Sequence, residues 1–130
     1  MKRAIASDGA PKAIGPYSQA IAAGDLFFVS GQIGLDPGSG LLVSGSIEDE
    51  TRRVLENLRM VLTTAGLSTD AVVRTTVYLT DLADFPLVNQ VYAEFFSAPF
   101  PARATVQVAA LPRGARVEID AIAVADGRAG

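Results

Sequence analysis

The sequence predicts one α+β domain, with a single sheet and two helices. Three observations carry this. The 130 residues leave room for one core and not for two. Strand-like and helix-like segments follow in the order strands, helix, strand, helix, strands. Hydrophobic residues make up 49% of the chain, enough to build that core without disordered stretches.

Residues 17–22 and 26–30 are short apolar runs around a turn at Gly24-Asp25, and they read as a hairpin. Asp36-Pro37-Gly38-Ser39-Gly40 is a second turn, followed by a short strand over 41–43. Residues 46–65 form the clearest helix. Ile47, Thr51, Val54, Leu55, Leu58, Val61, Leu62 and Ala65 fall on one face at a spacing of about 3.6. Ser46 caps its start, with Asp49 at the capping-box position. Glu48, Asp49 and Glu50 suit the positive end of the helix dipole. Gly66 closes the helix in a left-handed conformation.

Residues 71–80 alternate and are rich in Val and Thr, which predicts a strand. Asp84 then caps a second helix, with Pro86 in its first turn and an apolar face of Phe85, Val88, Tyr92, Phe95 and Phe96. Pro99-Phe100-Pro101 ends it. Residues 104–111 and 117–125 are the last strands, joined by a turn over 112–115. Several strands carry apolar residues on both faces. Val72 and Val73 point oppositely, as do Ile119 and Ile122. Two helices cover one face of a sheet, so the other face calls for a second copy of the chain. Exposed small residues on that face are the simpler alternative.

The absences narrow the chemistry. With no Cys there is no disulfide, thiolate nucleophile or Cys-bound metal. With no His there is no His-based triad and no group that titrates near neutral pH unperturbed. No apolar run approaches the roughly 20 residues of a membrane span, and the start of the chain lacks the apolar stretch of a signal peptide. The expectation is a cytoplasmic protein without a membrane partner. Eleven basic against fourteen acidic residues give a net charge of −3, which argues against nucleic acid as a partner. No phosphate loop, dinucleotide fingerprint, metalloprotease motif or nucleophile elbow is present.

Four isolated polar features remain. Arg103 begins a nearly uncharged strand among small residues, Ala102 and Ala104, where its fork has space for a planar carboxylate. On composition alone the stronger reading is an Arg that pairs with a neighbouring acid or reaches out to water. Glu118 and Asp120 share a face of the last strand, as carboxylates that are either solvated or working. Gly15-Pro16-Tyr17 fixes a turn that presents a ring and a hydroxyl. Ser30-Gly31-Gln32 ends a strand where a ligand could approach the backbone closely. Ordinary core or turn roles stand beside the last two.

These segments lie in longer motifs: Ala10-Pro11-Lys12-Ala13-Ile14-Gly15-Pro16-Tyr17-Ser18-Gln19-Ala20, Ser30-Gly31-Gln32-Ile33, Val54-Leu55-Glu56-Asn57-Leu58, Phe100-Pro101-Ala102-Arg103-Ala104 and Val106-Gln107-Val108-Ala109-Ala110-Leu111-Pro112. Over about 10–125 the chain resembles the RidA (YjgF) family of reactive enamine/imine deaminases. The resemblance implies a chorismate-mutase-like fold: a mixed six-stranded sheet with two helices on one face. It also implies a homotrimer whose sheets form a central barrel, with active sites between neighbouring subunits. The implied reaction is hydrolysis of 2-imino acids, formed from enamines such as 2-aminoacrylate, to 2-keto acids and ammonia, with no cofactor. Such enamines damage pyridoxal-phosphate enzymes. By resemblance Arg103 holds the substrate carboxylate and Glu118 activates water. Tyr17, Ser30, Gly31 and Asn89 line the cleft, with Ala104 and Thr105 beside Arg103. Thr105 stands where many bacterial members have Cys, Gly34 where proline is common, and Asp120 where glutamate is common. Arg103 close to Glu118 would hold that carboxylate ionised. Two rival readings are a non-catalytic 2-keto-acid binding module, which needs Arg103 but not Glu118, and RNA cleavage, which the acidic balance disfavours.

Overall fold

The computed structural model describes residues 1–125. Eight main elements follow the chain: β1 (Lys2–Ile5), β2 (Ala20–Ala23), β3 (Leu26–Gln32), α1 (Ile47–Thr64), β4 (Val72–Leu79), α2 (Phe85–Phe95), β5 (Ala102–Gln107) and β6 (Val117–Val124). The six strands form one mixed sheet in the order β1-β2-β3-β6-β4-β5. Only β4 and β5 run parallel, and α2 makes the crossover between them. The predicted α+β layout of one six-stranded sheet and two helices is therefore observed.

Both helices pack on one face. Along β6, Val117, Ile119, Ala121 and Ala123 are buried while Glu118, Asp120, Ile122 and Val124 are half-buried. The buried row meets Leu55, Leu58, Val61 and Leu62 of α1 and Val88 and Val91 of α2 in one core. Within it, the Tyr92 and Thr75 hydroxyls are hydrogen-bonded at 2.8 Å, which ties α2 to β4. The opposite face is open and carries exposed Leu26, Phe28 and Val106 among polar residues. No described helix is long and apolar enough to cross a membrane.

The first helix begins as expected. Ser46 Oγ accepts a hydrogen bond from the Asp49 N–H at 3.1 Å, and Gly66 has φ +80° just beyond the end. The second start differs. Asp84 is itself helical and makes no side-chain cap. Asp81 instead accepts from the Ala83 N–H at 2.9 Å, starting a short 3₁₀ turn that runs into α2. Pro86 removes one of the amide donors that a cap at Asp84 would use.

Three further boundaries move. The hairpin strand starts at Ala20 and not at Tyr17, because Gly15 turns the chain at φ +117° and leaves Tyr17 in a loop. Residues 41–43 make a single bridge, Leu42 to Leu35, and not a strand. β5 spans Ala102–Gln107, earlier than the predicted 104–111. Its register follows β4, which runs out at Leu79, and Val108 N–H donates to Leu79 O at 2.8 Å as the last rung. β1 was not predicted: Lys2-Arg3-Ala4-Ile5 is a mostly exposed edge strand with no apolar alternation to betray it.

Candidate functional site

Arg103 lies on edge strand β5 and points to the helix face. Its guanidinium carbon sits 4.7 Å from the Tyr92 ring centre and 5.2 Å from that of Phe85. Nη1 donates to Asn89 Oδ1 at 2.8 Å. No carboxylate pairs with it among the described residues. The aromatic platform sets the plane of the fork and Asn89 sets its rotation, so the remaining N–H groups stay free for an anion. A cleft of about 410 Å³ opens beside it, lined by Asn89, Tyr92, Ala93, Phe100, Pro101 and Arg103. Phe85, Asn89 and Tyr92 follow at i, i+4 and i+7 on α2, so the platform was readable as one helix face. Ala104 and Thr105 continue β5 at the sheet edge, opposite Thr76 and Val77 of β4.

Glu118 occupies a second cavity, of about 630 Å³, with Tyr17, Ser30 and Gly31. Its outer wall adds Lys12, Ile14, Ile33, Leu35 and Arg113, none of which stood out as a site residue in the sequence. The β3–β6 ladder shifts register between Val29 and Gln32, so Ser30 and Gly31 bulge from it. Ser30 Oγ donates to Ser18 O at 2.6 Å, which fastens the Tyr17 loop to the bulge. Buried Gln19 holds the preceding turn by donating to Pro11 O at 2.7 Å. Buried Asn57 donates to Ile33 O and Leu35 O, at 3.1 and 3.0 Å, and supports the far wall.

Burial pushes the Glu118 carboxyl pKa up, and the nearby charge of Asp120 adds to the shift. Asp120 in turn accepts a hydrogen bond from the Tyr78 hydroxyl at 3.0 Å. Within one chain Arg103 does not stand beside Glu118 to offset this shift. Arg103 lies opposite Thr75 on β4, and Glu118 lies opposite Tyr78. Those positions differ by three, an odd number, so the two side chains leave opposite faces of the sheet. Within one chain, then, the sequence-predicted residues form two half-sites. Arg103 and Asn89 line one; Tyr17, Ser30, Gly31 and Glu118 line the other.

The half-sites differ in what they can do. The first offers a positioned cation over a cleft and suits a carboxylate. The second offers a partly desolvated carboxyl group, hydroxyls and a bulged backbone, and suits proton transfer to or from water.

The family model described as Endoribonuclease L-PSP matches residues 7–125. The chain is 58% identical to protein DfrA of Myxococcus xanthus over 125 residues, covering 95% of both chains. It is 49% identical to human 2-iminobutanoate/2-iminopropanoate deaminase over 124 residues, covering 95% of this chain and 90% of that one. A crystal structure of a conserved Rid-family protein from Yersinia pestis superposes with a TM-score of 0.93 at 47% identity, covering 95% of this chain and 99% of that one. With sequence and backbone agreeing over nearly its whole length, the chain belongs to the YjgF/RidA family.

Proposed function

We propose that this protein hydrolyses 2-imino acids to 2-keto acids and ammonia, at sites built where copies of the chain meet in a homotrimer. The observation that carries this reading is Arg103: a guanidinium oriented by two rings and an amide, with no acid partner among the described residues, beside an open cleft. That is a seat for a small carboxylate. The open, partly apolar sheet face supports association of copies. Because the half-sites sit on opposite faces, an Arg103 from one copy has to meet a Glu118 from another.

The reaction consumes one water. The carboxylate of R–C(=NH)–COO⁻ rests on Arg103. Glu118, as the carboxylate, takes a proton from water while the oxygen attacks the imine carbon. That proton passes to the imine nitrogen and gives the carbinolamine; its hydroxyl proton then reaches the amine nitrogen by way of Glu118, the C–N bond breaks as the carbonyl forms, and ammonia leaves the 2-keto acid. Positioned acid–base help of this kind contributes about 10²–10⁴-fold. No thiolate or imidazole is required, in keeping with a sequence that has neither. Relatives named 2-iminobutanoate/2-iminopropanoate deaminase support the same reaction class. Removing such imines in the cytoplasm would protect pyridoxal-phosphate enzymes from the enamines in equilibrium with them.

The test follows 2-iminobutyrate, generated in situ, as it disappears. Wild type should accelerate its loss over buffer. Glu118→Gln should lower turnover while 2-ketobutyrate still binds. A second reading, a non-catalytic 2-keto-acid binding module, is favoured by one feature: Arg103 has its own cleft apart from Glu118. Binding of 2-ketobutyrate without any acceleration of imine loss would establish that reading instead.

A further inference from the structure

The wall of the Glu118 cavity carries a charge pattern that hydrolysis of a small imine does not use. Its charged residues are Lys12, Arg113 and Glu118, a local excess of positive charge on a chain whose net charge is −3. Neither cation has a carboxylate partner within 4 Å among the described residues. The ion pairs of those residues engage Arg52, Arg59 and Arg116 instead.

Arg113 is also held in an unusual way. It has φ +62°, the left-handed region that a side chain other than Gly rarely occupies, and Gly114 follows at φ +75°. Its Nη2 donates to Gly40 O at 2.9 Å. One donor thus anchors the guanidinium to the Asp36–Gly40 turn, and the others remain free. The wall that carries these cations and Glu118 also includes apolar Ile14, Ile33 and Leu35. Apolar walls suit methylenes, and free cations beyond them suit an anion at the end of those methylenes.

Building on the imine-hydrolase reading above, we propose that Lys12 and Arg113 form a distal cationic subsite that favours dicarboxylic 2-imino acids, whose side chain ends in a second carboxylate. Arg103 takes the carboxylate next to the imine. The methylenes run along Ile14, Ile33 and Leu35, and the distal carboxylate reaches Arg113 and Lys12. The bonds made and broken at the imine carbon are unchanged. Both cations are exposed, so the preference is modest and falls as salt rises.

Calorimetry with three stable product analogues tests this: 2-ketobutyrate, 2-oxoglutarate, and 2-oxohexanoate as a longer chain without the distal charge. Wild type should bind 2-oxoglutarate about tenfold more tightly than either of the others in low salt. In the double variant Lys12→Gln/Arg113→Gln that ratio should fall to about one, with folding checked by circular dichroism. If only one substitution can be made without loss of fold, Arg113→Gln alone should remove most of the ratio. Equal affinity of wild type for 2-oxoglutarate and 2-oxohexanoate overturns the subsite. So does a ratio that survives the substitutions, since the distal carboxylate is then recognised by other groups. These results leave the deaminase reading standing as long as 2-ketobutyrate binds and 2-iminobutyrate is hydrolysed. If wild type does neither, the deaminase reading itself is overturned and the subsite with it.

Discussion

The carboxyl group of Glu118 lies over Gly31 and occupies the space that a side chain there would fill. A methyl group built on Gly31 would come within 2.8 Å of Glu118 Cδ and 3.1 Å of Cγ. The backbone of Gly31 is not in the left-handed region, so alanine is sterically acceptable to the main chain. The nearest obstacle is the Glu118 side chain. Gly31→Ala should therefore fold with nearly wild-type thermal stability while displacing the carboxyl group. A misplacement of about 1 Å at a reacting group can cost on the order of 10²-fold. Steady-state kinetics with 2-iminobutyrate should show a loss of that order, and turnover within twofold of wild type would separate Glu118 from the chemistry.

The environment of Glu118 sets a pH dependence. Burial and then the Asp120 charge raise its pKa, so the folded chain holds this proton more tightly than the unfolded chain does. Two consequences follow. Above the ordinary carboxylate pKa, the folded state binds more protons than the unfolded one. This group's contribution to stability therefore declines as pH rises toward the folded value. In a site completed by another copy's Arg103, burial and the Asp120 charge raise the acid limb of turnover and the guanidinium opposes them. Asp120→Asn removes the like charge, and its amide can still accept from the Tyr78 hydroxyl. A pH–rate profile should show the acid limb moving down, by less than the full shift because burial remains. An unmoved limb would show that Asp120 has no influence on the proton at Glu118.

Arg103 reads as a gripping residue because three neighbours hold it and none neutralises it. Arg103→Lys keeps the charge and loses the fork. Hydrogen bonds to charged groups contribute about 1.5–3 kcal/mol, so kcat/KM should fall by roughly 10- to 100-fold with the fold intact. Asn89→Ala frees the rotation of the guanidinium and should raise KM by about tenfold while kcat moves less. Steady-state kinetics with 2-iminobutyrate measures kcat and KM, and titration with 2-ketobutyrate measures affinity. Unchanged affinity in Arg103→Lys would remove Arg103 from the carboxylate site.

What the sequence made legible follows from how local each signal is. α1, β4 and β6 were visible because apolar spacing and β-branched content are properties of a few consecutive residues. β1 was hidden because four edge residues, three of them exposed, need no pattern. The site residues could be named individually, through motifs, but their grouping could not be derived. Whether Arg103 and Glu118 share a face depends on the register of both β5 and β6 against β4, a long-range quantity that periodicity within one strand does not contain. The wall of the Glu118 cavity was missed for the same reason: Lys12, Ile33, Leu35 and Arg113 come from three separate loops.

The foundation beneath Glu118 is a buried ion pair with unequal partners. Glu50 on α1 is fully buried and accepts from both the backbone N–H and the Nε of Arg116, each at 2.7 Å. The Arg116 side chain is 42% exposed and also donates to Gly45 O at 2.9 Å. This clamp fixes the approach to β6 two residues before Glu118. Its partners respond differently to loss. Without Glu50, Arg116 can turn to water. Without the Arg116 side chain, a buried carboxylate keeps only one amide donor. Stranding a buried charge costs about 3–5 kcal/mol, and the remaining amide bond puts Arg116→Met at the lower end, about 3 kcal/mol. Glu50→Gln keeps one acceptor and should cost about 1–2 kcal/mol. Urea denaturation of the two variants should show that order, and a reversed order would mean that the guanidinium, not the carboxylate, is the partner that depends on the pair.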